Sequence, residues 1–368
     1  MQEERFICNI CGSEHTREDD VLFHNQHICH SCYEHETVVC RCCGTRIWVE
    51  DAHDGNICES CYDEYYTTCE DCGRVIYRDD AYFYDSDTEG DCPYCVNCFH
   101  QEDRVIEDYY FKPEPVFHGD GKRFYGVELE IDEGGERDSC AEEIMDIGNR
   151  NGNHIYCKHD GSLDDGFEIV SHPATLEYHT KTLPWPDIMA QAKQLGYRSH
   201  MARTCGLHIH ISRAGLGDTY DEQEATIAKI LYFYEKFWNE VLKFSRRTET
   251  QVNRWAMRYG GGLINPQETL KHAKSAGMGR YVAVNLENIH TVEMRIFRGT
   301  LKHETFMATL QFVDEICNAA VSLSDERIQS LTWLDFVQRI PDTKPELINY
   351  LKSRQLYVNE PVTAEEEV

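Results

Sequence analysis

Six Cys-x-x-Cys pairs are the first chemistry that the sequence offers. Cys8 and Cys11 precede Cys29 and Cys32, Cys40 and Cys43 precede Cys58 and Cys61, and Cys69 and Cys72 precede Cys95 and Cys98. The unit repeats three times with a period of roughly 30 residues. Zn²⁺ takes four soft ligands in a tetrahedron, and two such turns supply two thiolates each. The copies agree beyond cysteine. Each first turn ends in Cys-Gly (Gly12, Gly44, Gly73), which suits a tight knuckle whose amides face sulfur. The second turns read Ile28-Cys29-His30-Ser31-Cys32-Tyr33, Ile57-Cys58-Glu59-Ser60-Cys61-Tyr62 and Tyr94-Cys95-Val96-Asn97-Cys98-Phe99. Three structural Zn²⁺ ions are expected, and modules this small need the metal to fold. Cys42 and Cys92 are surplus. Cys92 could replace Cys95 in a shifted register, which leaves the third ligand set open.

The later chemistry is carried by alternation. In Val127-Glu128-Leu129-Glu130-Ile131 two carboxylates point one way and the apolar residues the other. Leu207-His208-Ile209-His210-Ile211 does the same with two imidazoles, and Val292-Glu293-Met294-Arg295-Ile296 with a carboxylate and a guanidinium. Phe167-Glu168-Ile169 adds a carboxylate. Any one of these could be a half-solvated sheet face. Together they are too rich in acid to sit side by side without cations. If the strands share a sheet, its polar face suits hard divalent cations such as Mg²⁺ or Mn²⁺. Arg295 and Arg298 can offset charge on a transferring phosphoryl group, or can serve as salt-bridge partners of neighbouring acids. Asp160-Gly161-Ser162 reads either as a turn at the edge of the site or as a plain surface turn, and Gly260-Gly261-Gly262 as a mobile loop or a linker. Neither a P-loop nor a Rossmann glycine motif is present.

The elements that would position these groups are strands over Tyr125–Ile131, Phe167–Ser171, Leu207–Ser212 and Thr291–Phe297. Helices are expected over about 138–149, 187–195, 221–244, 303–323 and 333–340. The stripe Ile227, Ile230, Leu231, Tyr234, Phe237, Trp238 and Val241 on the third of these reads as core. The expected organisation is three zinc modules (1–36, 37–66, 67–104), a linker (105–120), a mixed α+β domain (121–345), and a C-terminal segment with an acidic tail (346–368).

The 368 residues are 41% hydrophobic and 27% charged, enough for a packed core. No run approaches the length of a membrane span, and Met1–Arg5 is acidic with no apolar leader segment, so no membrane partner is expected. Of 18 cysteines, 14 precede residue 99. Disulfide scaffolds are short and secreted, so reduced thiols and a cytoplasmic location are expected. Net charge is −29, and residues 1–112 alone hold 8 Lys and Arg against 26 Asp and Glu, a balance of −18. That disfavours nucleic acid as a partner, because phosphate backbones need a basic face. Structural or protein-binding roles suit the zinc array better.

Four motifs in order resemble the putative amidoligase family of glutamine synthetase-like carboxylate–amine ligases. They are Phe124-Tyr125-Gly126-Val127-Glu128-Leu129-Glu130; Asp160-Gly161-Ser162-Leu163 with Phe167–Ser171; Gly206-Leu207-His208-Ile209-His210; and Val292-Glu293-Met294-Arg295 with Gly299-Thr300-Leu301. The resemblance spans about 121–325. It implies a curved antiparallel sheet flanked by helices, with ATP and two divalent cations on its concave face. It also implies that Glu128, Glu130, Glu168, His208 and Glu293 bind metal, that Arg295 contacts phosphate, and that His210 is either a support or purely structural. The implied reaction joins a carboxylate to an amine through an acyl phosphate, and the substrate could be a peptide or protein held by the zinc array. Two other readings remain: a zinc hydrolase using His208 and His210 with Glu168 or Glu293, and a zinc-ribbon adaptor whose second domain is inactive.

Overall fold

The computed structural model describes residues 5–53, 56–70, 72–82, 93–99, 105–109, 111–260 and 264–357. The chain forms two compact units, Met1–Arg104 and Val105–Val368.

In the first unit the repeat is a repeat of structure. A short antiparallel pair of strands flanks each first Cys-x-x-Cys turn: Arg5–Ile7 with Glu14–Thr16, Thr37–Val39 with Arg46–Trp48, and Tyr66–Thr68 with Val75–Tyr77. Each second turn opens a short helix, His30–Glu36, Glu59–Tyr65 or Val96–Phe99. The knuckles are alike. The amides of Gly12, Gly44 and Gly73 donate to the carbonyls of Cys8, Cys40 and Cys69 at 2.9–3.0 Å. All three glycines sit at φ of +68° to +76°, where a side chain would be strained. The first two helices run directly into the leading strand of the next module. Aromatic contacts knit the joints: Phe23 meets Trp48 edge-on at 4.8 Å, and Tyr65, at the end of the second helix, stacks on Tyr77 at 6.2 Å.

The second unit is a mixed α+β domain. Numbered within it, the strands are β1 (Ile106–Glu107), β2 (Tyr125–Ile131), β3 (Ile155–Lys158), β4 (Phe167–Ser171), β5 (Gly206–Ser212), β6 (Val284–Asn285) and β7 (Thr291–Arg298). They form one sheet in the order β1-β3-β4-β2-β5-β7-β6. Every pairing is antiparallel except that of β1 with β3. The sheet is therefore mixed at one edge rather than wholly antiparallel. Its parallel edge strand comes from the start of the stretch expected to be a linker, where two residues are too few to show a period.

The helices are α1 (Asp138–Gly148), α2 (Leu176–Lys181), α3 (Trp185–Gln194), α4 (Tyr220–Lys236), α5 (Trp238–Ser245), α6 (Glu249–Trp255), α7 (Pro266–Ser275), α8 (His303–Ser322), α9 (Asp325–Ser330), α10 (Trp333–Gln338) and α11 (Pro345–Ser353). The long helix expected over 221–244 divides at Phe237, whose ψ of 33° leaves the helical range. The segment after 345 is not all tail: Leu347 and Leu351 of α11 are fully buried. Val127, Leu129 and Ile131 of β2, Ile209 and Ile211 of β5, and Val292 and Met294 of β7 form one core with Ile144 of α1, Ile188 of α3, Ile230 of α4 and Leu310 of α8. That leaves the alternate residues of the same strands on the opposite, polar face.

Candidate active site

Register decides which polar groups meet. Glu128 of β2 stands opposite His208 of β5, His210 of β5 opposite Glu293 of β7, and Glu130 of β2 opposite Glu168 of β4. Acid thus faces imidazole on two of the three pairings. Both imidazoles reach Glu128: His208 Nδ1 lies 3.1 Å from Oε2 and His210 Nε2 lies 3.1 Å from Oε1. His208 also lies 3.5 Å from Glu130, and His210 3.9 Å from Glu293. Glu130, Glu168 and Glu293 are each only 3% exposed, so these three carboxylates share a largely dehydrated patch with Glu128.

Each acid has partners that orient it. Glu293 accepts hydrogen bonds from Asn285 at 2.8 Å and Asn288 at 3.4 Å, and pairs with Arg295. Glu130 accepts from the amide of Gly206. Glu168 is paired with Lys158 Nζ at 3.3 Å. One donor atom each from Glu128, His210 and Glu293 lie within 4.8 Å of one another, close enough to share an ion.

The charges are unequal in consequence. Burial alone would raise Glu128, but the charge of His210 and the hydrogen bond from His208 override it and hold it well below the usual carboxylate range. Glu293 is lowered as well: burial raises it, and His210, Arg295 and His208 together outweigh that. Glu130 and Glu168 go up, burial being the main cause in both; Glu128 next to Glu168 adds to its rise. His210 resists burial because Glu128 and Glu293 flank it, and it is raised to about 9. A face with two acids pushed up by burial and by neighbouring carboxylates has room for added positive charge.

Above this face lies a cavity of about 350 Å³ lined by Glu130, His208, Asp160 and Arg295. Asp160-Gly161-Ser162 does form a turn at its edge, closed by the Ser162 amide on Asp160 at 2.7 Å. Arg295 is in place, but Arg298 is not beside it and lines a separate cavity. The reason is a bulge between Leu207 and Ile209, which adds a residue to β7 and sets Arg298 opposite Gly206 at the end of the pair. His208 and His210 both contact the central acid, whereas only His210 belongs to the tightest trio. Gly261 and Gly262 lie outside the described residues.

Sequence reading missed Lys158, Arg247, Asn285 and Asn288. Lys158 and Asn285 stand on strands too short to show alternation, and Arg247 follows a helix with no motif around it. It also missed the cavity rim, where Trp255 meets Tyr281 at 5.9 Å and Arg280 lies 5.0 Å from the Tyr281 centroid.

In the first unit the sulfurs converge as the spacing requires. Cys8, Cys11, Cys29 and Cys32 form one cluster, Cys40, Cys43, Cys58 and Cys61 a second, and Cys69, Cys72, Cys95 and Cys98 a third. All three fit tetrahedral zinc. Amides support the thiolates: Cys29 N donates to Cys8 Sγ and Cys58 N to Cys40 Sγ, both at 3.3 Å. Cys95 completes the third set, while Cys92 lies outside the described residues and Cys42 is exposed outside the clusters.

A sheet face of buried acids and imidazoles beside a cavity is a donor set of the kind that hard divalent cations accept. Residues 146–317, a little under half of the chain, match the family described as "Putative amidoligase enzyme", the family that the four motifs resemble. That stretch includes Asp160, Glu168, His208, Glu293, Arg295 and Arg298, and begins after Glu128 and Glu130. Among solved structures, a bifunctional glutathione synthetase from Pasteurella multocida is similar at 13% identity and a TM-score of 0.38, over 65% of this chain and 47% of that one. The chain thus spans about half that enzyme's length, and the likeness is too slight to bear on fold or function. No curated protein matches the chain. Among the described residues no helix is long and apolar enough to cross a membrane.

Proposed function

We propose that the second unit is an ATP-dependent carboxylate–amine ligase. The observation that carries this is the convergence of Glu128, Glu130, Glu293, His208 and His210 from three adjacent strands, with Arg295 at the same cavity, in a chain that matches the amidoligase family. Oxygen ligands outnumber imidazoles, a donor set for Mg²⁺ or Mn²⁺ rather than for a soft metal. Glu128, Glu130 and Glu293 with His208 would hold the cations, and Glu168 would join them on exchanging Lys158 for metal. Bound there, two cations would neutralise charge on the transferring phosphoryl group.

Arg295, its orientation held by Glu293, would meet the phosphate oxygens. An oxygen of the acid substrate attacks the γ-phosphorus of ATP, and ADP leaves. The amine then attacks the acyl carbon, phosphate departs, and the nitrogen loses a proton as the amide forms. Asp160, at the cavity edge, is available to orient the amine. No nucleophilic Ser or Cys is needed. A peptide or protein substrate, with the acidic zinc array presenting its amine-bearing partner, is the form of this reading that gives the first unit work to do.

Calorimetry of Mg-ATP with the zinc-loaded full chain tests it. Wild type should bind only with the metal present, and Glu130→Gln and Glu293→Gln should each weaken binding at least tenfold, about the loss of one charged hydrogen bond. A folded wild type that binds no Mg-ATP would overturn the ligase and return the second unit to the adaptor reading.

A further inference from the structure

Beside the first cavity lies a second, of about 440 Å³, whose charged lining is entirely cationic: Lys243, Arg246, Arg247, Arg298 and Arg354, with His200 among them and no acid. This is unusual for a chain of net charge −29. Other arginines of the unit have carboxylate partners, Arg123 with Asp314, Arg213 with Glu224 and Arg258 with Glu235. Among the described residues Arg246, Arg247, Arg298 and Arg354 have none. Arg247 is only 7% exposed, and its Nε has no hydrogen-bond partner. The Nε of Arg298 and the Nδ1 of His200 are likewise buried without one.

Crowding one buried and three half-buried guanidinium groups around unmet buried donors is costly unless an anion joins them. The cavity is built to present them. Arg354 is tied by Nε and one terminal nitrogen to the Lys243 carbonyl at 3.1 and 2.8 Å, which leaves its other terminal nitrogen for a ligand. Arg247 anchors a terminal nitrogen on the Phe297 carbonyl at 3.2 Å. Arg246 ends α5 in the left-handed region, φ +62°, where glycine is the usual occupant. Arg247 also lines the first cavity, so the two adjoin.

We propose that this cavity is a subsite for a further carboxylate of the acid substrate, so that the substrate is a multi-carboxylate acid or an acidic peptide end. The assignment rests on the ligase reading. The nucleotide phosphates would travel with metal, and no acid lines this cavity to hold one. Guanidinium forks match carboxylates in the plane. Free phosphate would use the same donors, so the test separates the two.

Calorimetry on the zinc-loaded full chain uses triglutamate, triglutamine and inorganic phosphate as probes, with Arg246→Gln and Arg354→Gln as variants checked for unchanged melting temperature. Triglutamate should bind and triglutamine should not. Each variant should weaken triglutamate at least tenfold while leaving Mg-ATP affinity within twofold. Phosphate that binds more tightly than triglutamate and displaces it overturns the carboxylate assignment. So does a wild type that binds Mg-ATP but no triglutamate, or variants that bind triglutamate as wild type does. Triglutamate binding without any Mg-ATP binding keeps the anion pocket and sinks the ligase reading instead.

Discussion

His179 shows how a single buried residue ties the site to pH. It is wholly enclosed, and its two ring nitrogens have different partners. Nε2 lies 2.9 Å from the Tyr125 carbonyl, which only accepts, and Trp185 Nε1, which only donates, lies 3.2 Å from Nδ1. One neutral tautomer alone satisfies both contacts. A second proton would face the indole N–H, and burial pushes the imidazole down to about 4. The unfolded chain binds that proton near pH 6.5, so the stabilisation is complete above that pH and is lost as pH falls towards 4. It is worth about 3 kcal/mol at most, at 1.36 kcal/mol per unit. Melting temperatures at pH 7 and pH 5 should show wild type losing more stability than His179→Gln, which starts lower and falls less. Equal slopes would mean that His179 does not titrate as its burial requires. Tyr125 begins the strand that carries Glu128 and Glu130, so the loosening would be felt at the site.

At the scale of elements, the site depends on how closely β2 and β4 are drawn together. Gly166 precedes β4, and a Cβ built there would lie 2.0 Å from the Ile131 carbonyl oxygen and 2.6 Å from the Asp132 Cα. Both are backbone atoms that cannot turn aside. Gly166→Ala should therefore destabilise the unit by about 1–3 kcal/mol, the usual cost of overpacking, or more if the strands part. Denaturant unfolding followed by intrinsic tryptophan fluorescence reads this directly, and an unchanged midpoint would show that the approach is looser than described. The bulge opposite Leu207–Ile209 acts at the same scale. Strict alternation would give Arg295 and Phe297 one face; the inserted residue returns Phe297 to the core and sends Arg298 to the neighbouring cavity.

Across the whole molecule, the two units are stabilised by different means. The second has a continuous core from Trp185 to Phe312 and Leu351. The modules of the first have only small clusters, such as Cys8, Ile28 and Cys29, and these are built around the sulfurs themselves. Twelve thiolates brought so close repel one another unless metal joins them. The full chain should carry three zinc ions by elemental analysis. Chelation should remove the secondary structure of the first unit while the near-ultraviolet signal of the buried Trp185 persists. Two zinc ions per chain, or a first unit indifferent to chelator, would contradict the three-cluster arrangement.

Much was determined by the sequence alone where the determinant is local. Cys-x-x-Cys spacing and the glycine after each knuckle suffice for three thiolate clusters, because a tight turn brings both sulfurs to one side. Period-two alternation in 125–131, 167–171, 207–212 and 291–297 suffices to put Glu128, Glu130, Glu168, His208, Glu293 and Arg295 on the polar side of strands, because a pleated chain turns alternate side chains apart. Which of these touch is not local. The order of the strands, the pairing of Glu130 with Glu168, the sharing of Glu128 by two imidazoles and the diversion of Arg298 follow from register and from one bulge, and register is set by how the apolar faces pack. Lys158, Arg247 and the arginine cavity come from segments 50 and more residues apart in the chain, at Arg246, Arg298 and Arg354. Apart from Arg298, which the sequence sets near Arg295, each is an unremarked residue in its own neighbourhood, and only tertiary packing brings their charges together.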